Sequence, residues 1–187
     1  MKLDIDYSCS SNYNFLQTCC EQDEVVNTVG ISTKGQLDSM LIGDSSNKWT
    51  EFFIPDIVDL PDNKPNIEAI DTIYSGVDII SQRVIKTPIP SNPDQENWEG
   101  TKLTGRKLII EGLLKHKIMY TANKDQQPLH SVNFIKPFSV FIVIDANTPL
   151  SQQYRIETCI EDVYTCKLSP RSIFKNTTIF IKASIIC

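Results

Sequence analysis

The stretch Leu108-Ile109-Ile110-Glu111-Gly112-Leu113-Leu114-Lys115-His116-Lys117-Ile118-Met119-Tyr120-Thr121 decides the fold. Leu108, Ile110, Leu114, Ile118 and Tyr120 take one side of an alternation, and Glu111, Lys115, Lys117 and Thr121 take the other. A period of two belongs to a strand, because successive side chains point to opposite faces of a sheet. Apolar Ile109, Leu113 and Met119 fall among the polar positions, so one face is expected to be core and the other only partly wet.

The same texture extends in both directions. After the turn residues Asn123-Lys124-Asp125-Gln126-Gln127-Pro128, a strand is expected from Leu129 to Phe134, resuming from Phe138 to Asp145. Pro137 has no N–H for a ladder, so its place is read as a bulge or an edge. Arg155 to Leu168 and Ile173 to Ile185 read as two further strands joined through Ser169-Pro170-Arg171. Upstream, Val25 to Ile31, Trp49 to Pro55 and Val77 to Thr87 have strand character. One helix of about two turns is expected over Pro65 to Ile73, where Pro65 suits a first helical position and Ile67, Ile70 and Ile73 recur every three residues. Pro88, Pro90 and Pro93 with Ser91, Asn92 and Gly100 mark a long loop before Leu103. Long strands, hairpin-sized connections and almost no helix indicate an all-β protein, an antiparallel β-sandwich over residues 25–187 with one short helix. Residues 1–24, rich in Ser, Asn, Gln, Asp and Cys, read as an extended N-terminal arm.

The six cysteines sit at the edges of the chain: Cys9, Cys19 and Cys20 in the arm, and Cys159, Cys166 and Cys187 near the end. Adjacent Cα atoms lie about 3.8 Å apart, too close for an ordinary disulfide, so Cys19 and Cys20 are poor partners. If Cys159 and Cys166 share one continuous strand, roughly 23 Å separates them and they do not pair either. The pairings left join the arm to the C-terminal strands, within one subunit or between neighbours. The plain alternative is six reduced thiols in a cytosolic protein.

Composition narrows the functional classes. The chain has 187 residues, 41% hydrophobic and 22% charged, enough to bury a core without disulfides. Its 18 basic and 23 acidic residues give a net charge of −5 with no basic run, which speaks against nucleic acid and anionic membranes as partners. The opening Met1-Lys2-Leu3-Asp4-Ile5-Asp6-Tyr7 has no apolar signal segment, and no apolar run reaches the length of a membrane span. Catalytic and metal-binding signatures are missing from the sequence. His116 lies on the apolar register and reads as a hydrogen-bonded core histidine; His130 opens a strand without a Cys or His at ligand spacing. Glu161-Asp162 and Asp4/Asp6 read as solvated residues rather than carboxylate dyads, and the sequon Asn176-Thr177-Thr178 carries little weight without a signal peptide. Trp49, Trp98, Tyr120 and Phe141 would be the material for a carbohydrate-stacking platform, but most read as core. Trp98, in the polar loop Pro93 to Gly100, is the partner-contact candidate, with folding back onto its own domain as the alternative. No enzyme activity, cofactor or metal is expected.

The segment Gly105 to Tyr120, followed by Gln127-Pro128-Leu129-His130-Ser131-Val132-Asn133-Phe134 and Pro137-Phe138-Ser139, resembles the SPOCS domain of clostridial spore proteins. Phe53-Ile54-Pro55, Lys64 to Glu68 and Val77-Asp78-Ile79 are similar to the opening half of that family, so that the resemblance covers roughly residues 49–186. It implies a β-rich module of spore morphogenesis, coat or exosporium proteins, including the adaptor SipL, without catalytic residues. No LysM segment is present, so peptidoglycan binding is not carried over. The resemblance also implies synthesis in the mother-cell cytosol without a signal peptide and a later oxidising exterior, so thiols assemble reduced and lock afterwards. Fully extended, the arm reaches about 80 Å at roughly 3.3 Å per residue, far enough to cross to a neighbour. The expectation is a structural spore-surface subunit of coat, exosporium or appendage. It assembles with itself into a filament or lattice, with all six cysteines as candidates for intermolecular disulfides; the alternative is a non-catalytic adaptor for other spore coat proteins.

Overall fold

The structure, a computed structural model, describes residues 26–42, 48–89, 91–92, 96 and 100–186. Seven strands and one helix follow in order: β1 (Asn27–Val29), α1 (Lys34–Leu41), β2 (Lys48–Asp59), β3 (Ile67–Lys86), β4 (Arg106–Ala122), β5 (Leu129–Val143), β6 (Tyr154–Lys167) and β7 (Ser172–Ile185). They form two sheets, β1-β3-β4-β5 and β2-β7-β6. All ladders are antiparallel except the three-residue pairing of β1 with β3, which is parallel. The molecule is an all-β sandwich.

The helix expected over Pro65 to Ile73 is corrected: these residues enter β3 and are strand from Ile67 onward. The three-residue spacing has a different cause. The pairing of β3 with β4 shifts register between Ile67 and Ala69 and again between Ile70 and Thr72. Each shift adds one residue to β3, so inward positions fall every third residue rather than every second. Ile67, Ile70 and Ile73 are all buried as a result. The actual helix, α1, begins where Thr33 caps it: the Thr33 Oγ1 accepts from the Gln36 N–H, and the Gln36 side chain accepts from the Thr33 N–H. α1 lies on the outer face of the β2-β7-β6 sheet, where Leu37 and Met40 cover Cys159 and Phe180.

Pro137 sits in β5, an edge strand, with no register shift against β4, so the edge half of its reading holds. The β4–β5 turn closes through the Gln127 N–H donating to the Lys124 carbonyl at 2.9 Å, with Gln126 and Gln127 at positive φ. Two glycines are fixed by close approach. Gly30 (φ +98°) leaves β1 so near β3 that a Cβ would lie 2.1 Å from the Ser75 carbonyl oxygen. Gly112 faces inward from β4, and a Cβ there would meet the Phe138 ring at 2.5 Å.

The core between the sheets has two halves. One packs Leu108, Ile110 and Leu114 of β4 and Ile142 of β5 against Ile179, Ile181 and Ala183 of β7. The other packs Ile67, Ile70 and Ile73 of β3 and Ile118 and Tyr120 of β4 against Ile160 and Val163 of β6 and Ile173 of β7. Gly112→Ala should cost about 1–3 kcal/mol through overpacking against Phe138. Gly35→Ala, on an open face of α1, should raise stability by about 0.5–1 kcal/mol. Urea unfolding monitored by circular dichroism measures both, and the opposite signs check the packing assigned to each site.

Candidate functional site

Between the two core halves runs a stratum of polar residues. Asp56 reaches inward from β2 and accepts from two ammonium groups, Lys175 of β7 and Lys136 of β5, each at 2.8 Å. Lys175 is 1% exposed. The neighbouring inward position on β4 is His116, buried, with Nδ1 3.0 Å from the Ser75 hydroxyl and Nε2 3.3 Å from the Thr177 hydroxyl. Burial pushes the Asp56 carboxyl up, but hydrogen bonds and charge from Lys136 and Lys175 outweigh it and hold the group below the usual carboxylate range. His116 is held neutral: burial, then repulsion from Lys175, lower its pKa to about 4, against a smaller pull from Asp56. This arrangement ties sheets together. Its histidine and lysine already have their partners, and it offers no free base or nucleophile.

The other sequence candidates disperse. His130 begins β5, its ring stacked 5.9 Å from that of buried Tyr120. Trp49 and Phe141 lie on different sheets and Tyr120 is core, so the aromatic residues do not converge into a stacking platform. Asn176 sits in the central strand β7, flanked by β2 and β6, an unsuitable place for a glycan. Among the described residues no group of three or more His, Cys, Asp or Glu is placed to hold a metal. Glu161 stands at a bulge of β6, its pKa raised by burial and then by the charge of Glu51 on β2. That pairing across β7 was not visible in the sequence, because only the sheet order brings the two strands to either side of one partner.

Of the cysteines, Cys9, Cys19, Cys20 and Cys187 lie outside the described residues, as does Trp98. Cys159 and Cys166 share β6, as the pairing argument required, and they do not bond each other: Cys159 is free and buried, and Cys166 is disulfide-bonded in the isolated chain. The Cys159 Sγ lies 3.0 Å from the Met40 Sδ, beneath α1. That cover removes Cys159 from the thiols a neighbouring subunit reaches while α1 is docked.

What the sequence did not reveal is the apolar dressing of both outer faces. Trp49, Phe53 and Ile57 alternate along the edge strand β2 and are 53%, 66% and 62% exposed. Leu129, Ile135 and Phe141 form a comparable row on β5, with the Lys107 ammonium 3.7 Å above the Phe141 ring. Between Tyr74, Gly76, Lys115, Lys117, Asn133 and Ile135 the outer face of that sheet also dips into a depression of about 450 Å³.

Two measurements follow from the interior. The folded pKa of His116, about 4, lies below its ordinary 6.5, so the unfolded chain binds the extra proton between these values. The stability contributed by neutral His116 is full above pH 6.5 and is lost as pH falls toward 4, by roughly 3 kcal/mol at most. Thermal unfolding between pH 7 and 4.5 should show this fall, and His116→Gln, which keeps polar contacts without titrating, should flatten it. Thiol labelling of the native protein should leave Cys159 unmodified, and Met40→Ala should expose it to reagent, read by peptide mass spectrometry.

Among the described residues no helix is long and apolar enough to cross a membrane. No curated protein matches the chain, and no solved structure does. Residues 95–168 match the family model described as SipL, SPOCS domain. The match spans β4, β5 and β6 and includes the Glu111 to Ser139 motif that carries the resemblance, a narrower region than residues 49–186. Over residues 95–168, less than half of the chain, the protein is similar to the SPOCS-domain family, and that similarity suggests a role connected with sporulation.

Proposed function

We propose that the protein is a structural subunit of the spore surface that assembles with copies of itself through its β-sandwich and N-terminal residues, with intermolecular disulfides locking the assembly. The observation that carries this reading is the pair of exposed apolar rows, Trp49-Phe53-Ile57 and Leu129-Ile135-Phe141, one on each outer face. An isolated soluble domain rarely leaves such rows bare on both sides; a subunit with neighbours on both sides uses them. The family match supplies the sporulation setting. With Cys159 buried and Cys166 already bonded within the chain, the locking role falls to the three of Cys9, Cys19, Cys20 and Cys187 that Cys166 does not use. A non-catalytic adaptor that recruits other spore coat proteins is the second reading, favoured by the same apolar rows if their partner is a different protein.

Electron microscopy of the purified chain before and after oxidation separates the two. Fibres or sheets that resist denaturant until reductant is added are expected. A monodisperse particle with no covalent oligomer on a non-reducing gel would contradict the structural-subunit reading and leave the adaptor. Phe53→Lys, which puts a charge into the most exposed position of the β2 row, should reduce assembly without changing the strand content seen by circular dichroism.

A further inference from the structure

The four strand edges of the sandwich are protected unequally. On one side, β2 and β5 carry Pro55 and Pro137 in mid-strand. A proline is tolerated in a ladder only where its nitrogen faces away from the partner, so each leaves a gap in the donors of the free edge. On the other side, β6 is bent by the bulge at Ile160/Asp162 and is partly covered there, since the Ser32 N–H donates to the Ile160 carbonyl at 2.8 Å. β1 covers β3 only from Thr72 to Tyr74. From Gly76 to Lys86, β3 contains no proline and pairs only with β4 among the described residues.

This edge is complementary to itself. The bulge between Ile79 and Ser81 places Asp78 and Arg83, five positions apart, on the same outer face, opposite Leu113 and Ile109 of β4 respectively. In a regular strand residues five apart face opposite ways. Two such edges laid antiparallel with Asp78 opposite Arg83 also set inward Val77 against Val84 and Ile79 against Gln82, while Ile80, 63% exposed, and Ser81 flank the two-fold axis. Asp78 already meets Lys115, and Arg83 meets Glu111 at 3.2 Å. The joined face would therefore read Lys115, Asp78, Arg83, Glu111 across four strands, with charges alternating at every step. Opposite charges on facing strands stabilise a pairing and like charges oppose it.

We propose that the Gly76–Lys86 edge of β3 is the docking site for a second copy of this chain, forming an isologous pair with one continuous sheet across the two-fold axis. The contact uses neither a cysteine nor residues 1–25, so it stands or falls separately from the disulfide-locked assembly. Hydrogen exchange of the full chain, read on the backbone amides of residues 76–86 across a dilution series, tests it. Protection that rises with concentration is expected. Asp78→Arg or Arg83→Asp alone should abolish that rise, and reversing all four charges together (Asp78→Lys, Lys115→Glu, Arg83→Glu and Glu111→Lys) should restore it, with circular dichroism confirming that each variant keeps its strands. Protection independent of concentration would overturn the proposal. So would protection indifferent to the charge reversals, which would assign the edge to another occupant such as the N-terminal residues of a neighbour.

Discussion

The Asp56 carboxylate, held between Lys136 and Lys175, is the interaction on which the arrangement of the two sheets depends. Asp56 and Lys175 belong to one sheet and Lys136 to the other, so a single acid bridges the layers within the polar stratum between the two core halves. Apolar packing alone tolerates sliding of one face over another, because its energy scales with buried area and has little direction. The Asp56–Lys175 pair is buried and directional, so breaking it is costly, and the same carboxylate reaches the facing sheet through the half-exposed Lys136. The bridge sits between the two halves of the core with His116 beside it, and His116 reaches Ser75 on its own sheet and Thr177 on the facing one. Together these residues give the sandwich one register of sheet on sheet. These polar groups satisfy one another inside the sandwich.

How much of this was legible depended on how regular each strand is. β4 was read almost residue by residue, because a central strand with a core face and a mixed face alternates without interruption from Leu108 to Ala122. β3 was misread at its start for the opposite reason: two register shifts turn a period of two into a period of three, and Ile67, Ile70 and Ile73 then imitate a helix face. α1 was missed because its apolar residues are few, although the Thr33-x-x-Gln36 capping signature was in plain view. The candidate site was legible only in part. His116 was recognised as a core histidine from its place in the alternation. Its company was not, since Asp56, Lys136 and Lys175 come from three strands far apart in sequence and each alone looks like a surface charge.

Aromatic and aliphatic rows lie exposed on both outer faces, and the proposed assembly uses them. The strand edges differ from one another, with prolines on β2 and β5 and a bare, charge-alternating run on β3. Residues 95–168 match the SPOCS-domain family model, and that similarity suggests a sporulation-related role. The cysteines divide accordingly: Cys159 is part of the packing under α1, Cys166 is bonded to one of the other four, and the three left over are the ones to examine for links between subunits.

The central claim, that Asp56 holds the sheets in register, is tested most directly by urea unfolding of Asp56→Ala beside the double variant Asp56→Leu/Lys175→Met. Removing the acid alone leaves Lys175 buried without its counter-charge, and a loss of about 3–5 kcal/mol is expected. The double variant, which replaces the Asp56–Lys175 pair with apolar volume, should recover most of that loss. A loss below about 1 kcal/mol for Asp56→Ala, the range of an exposed ion pair, would contradict the account.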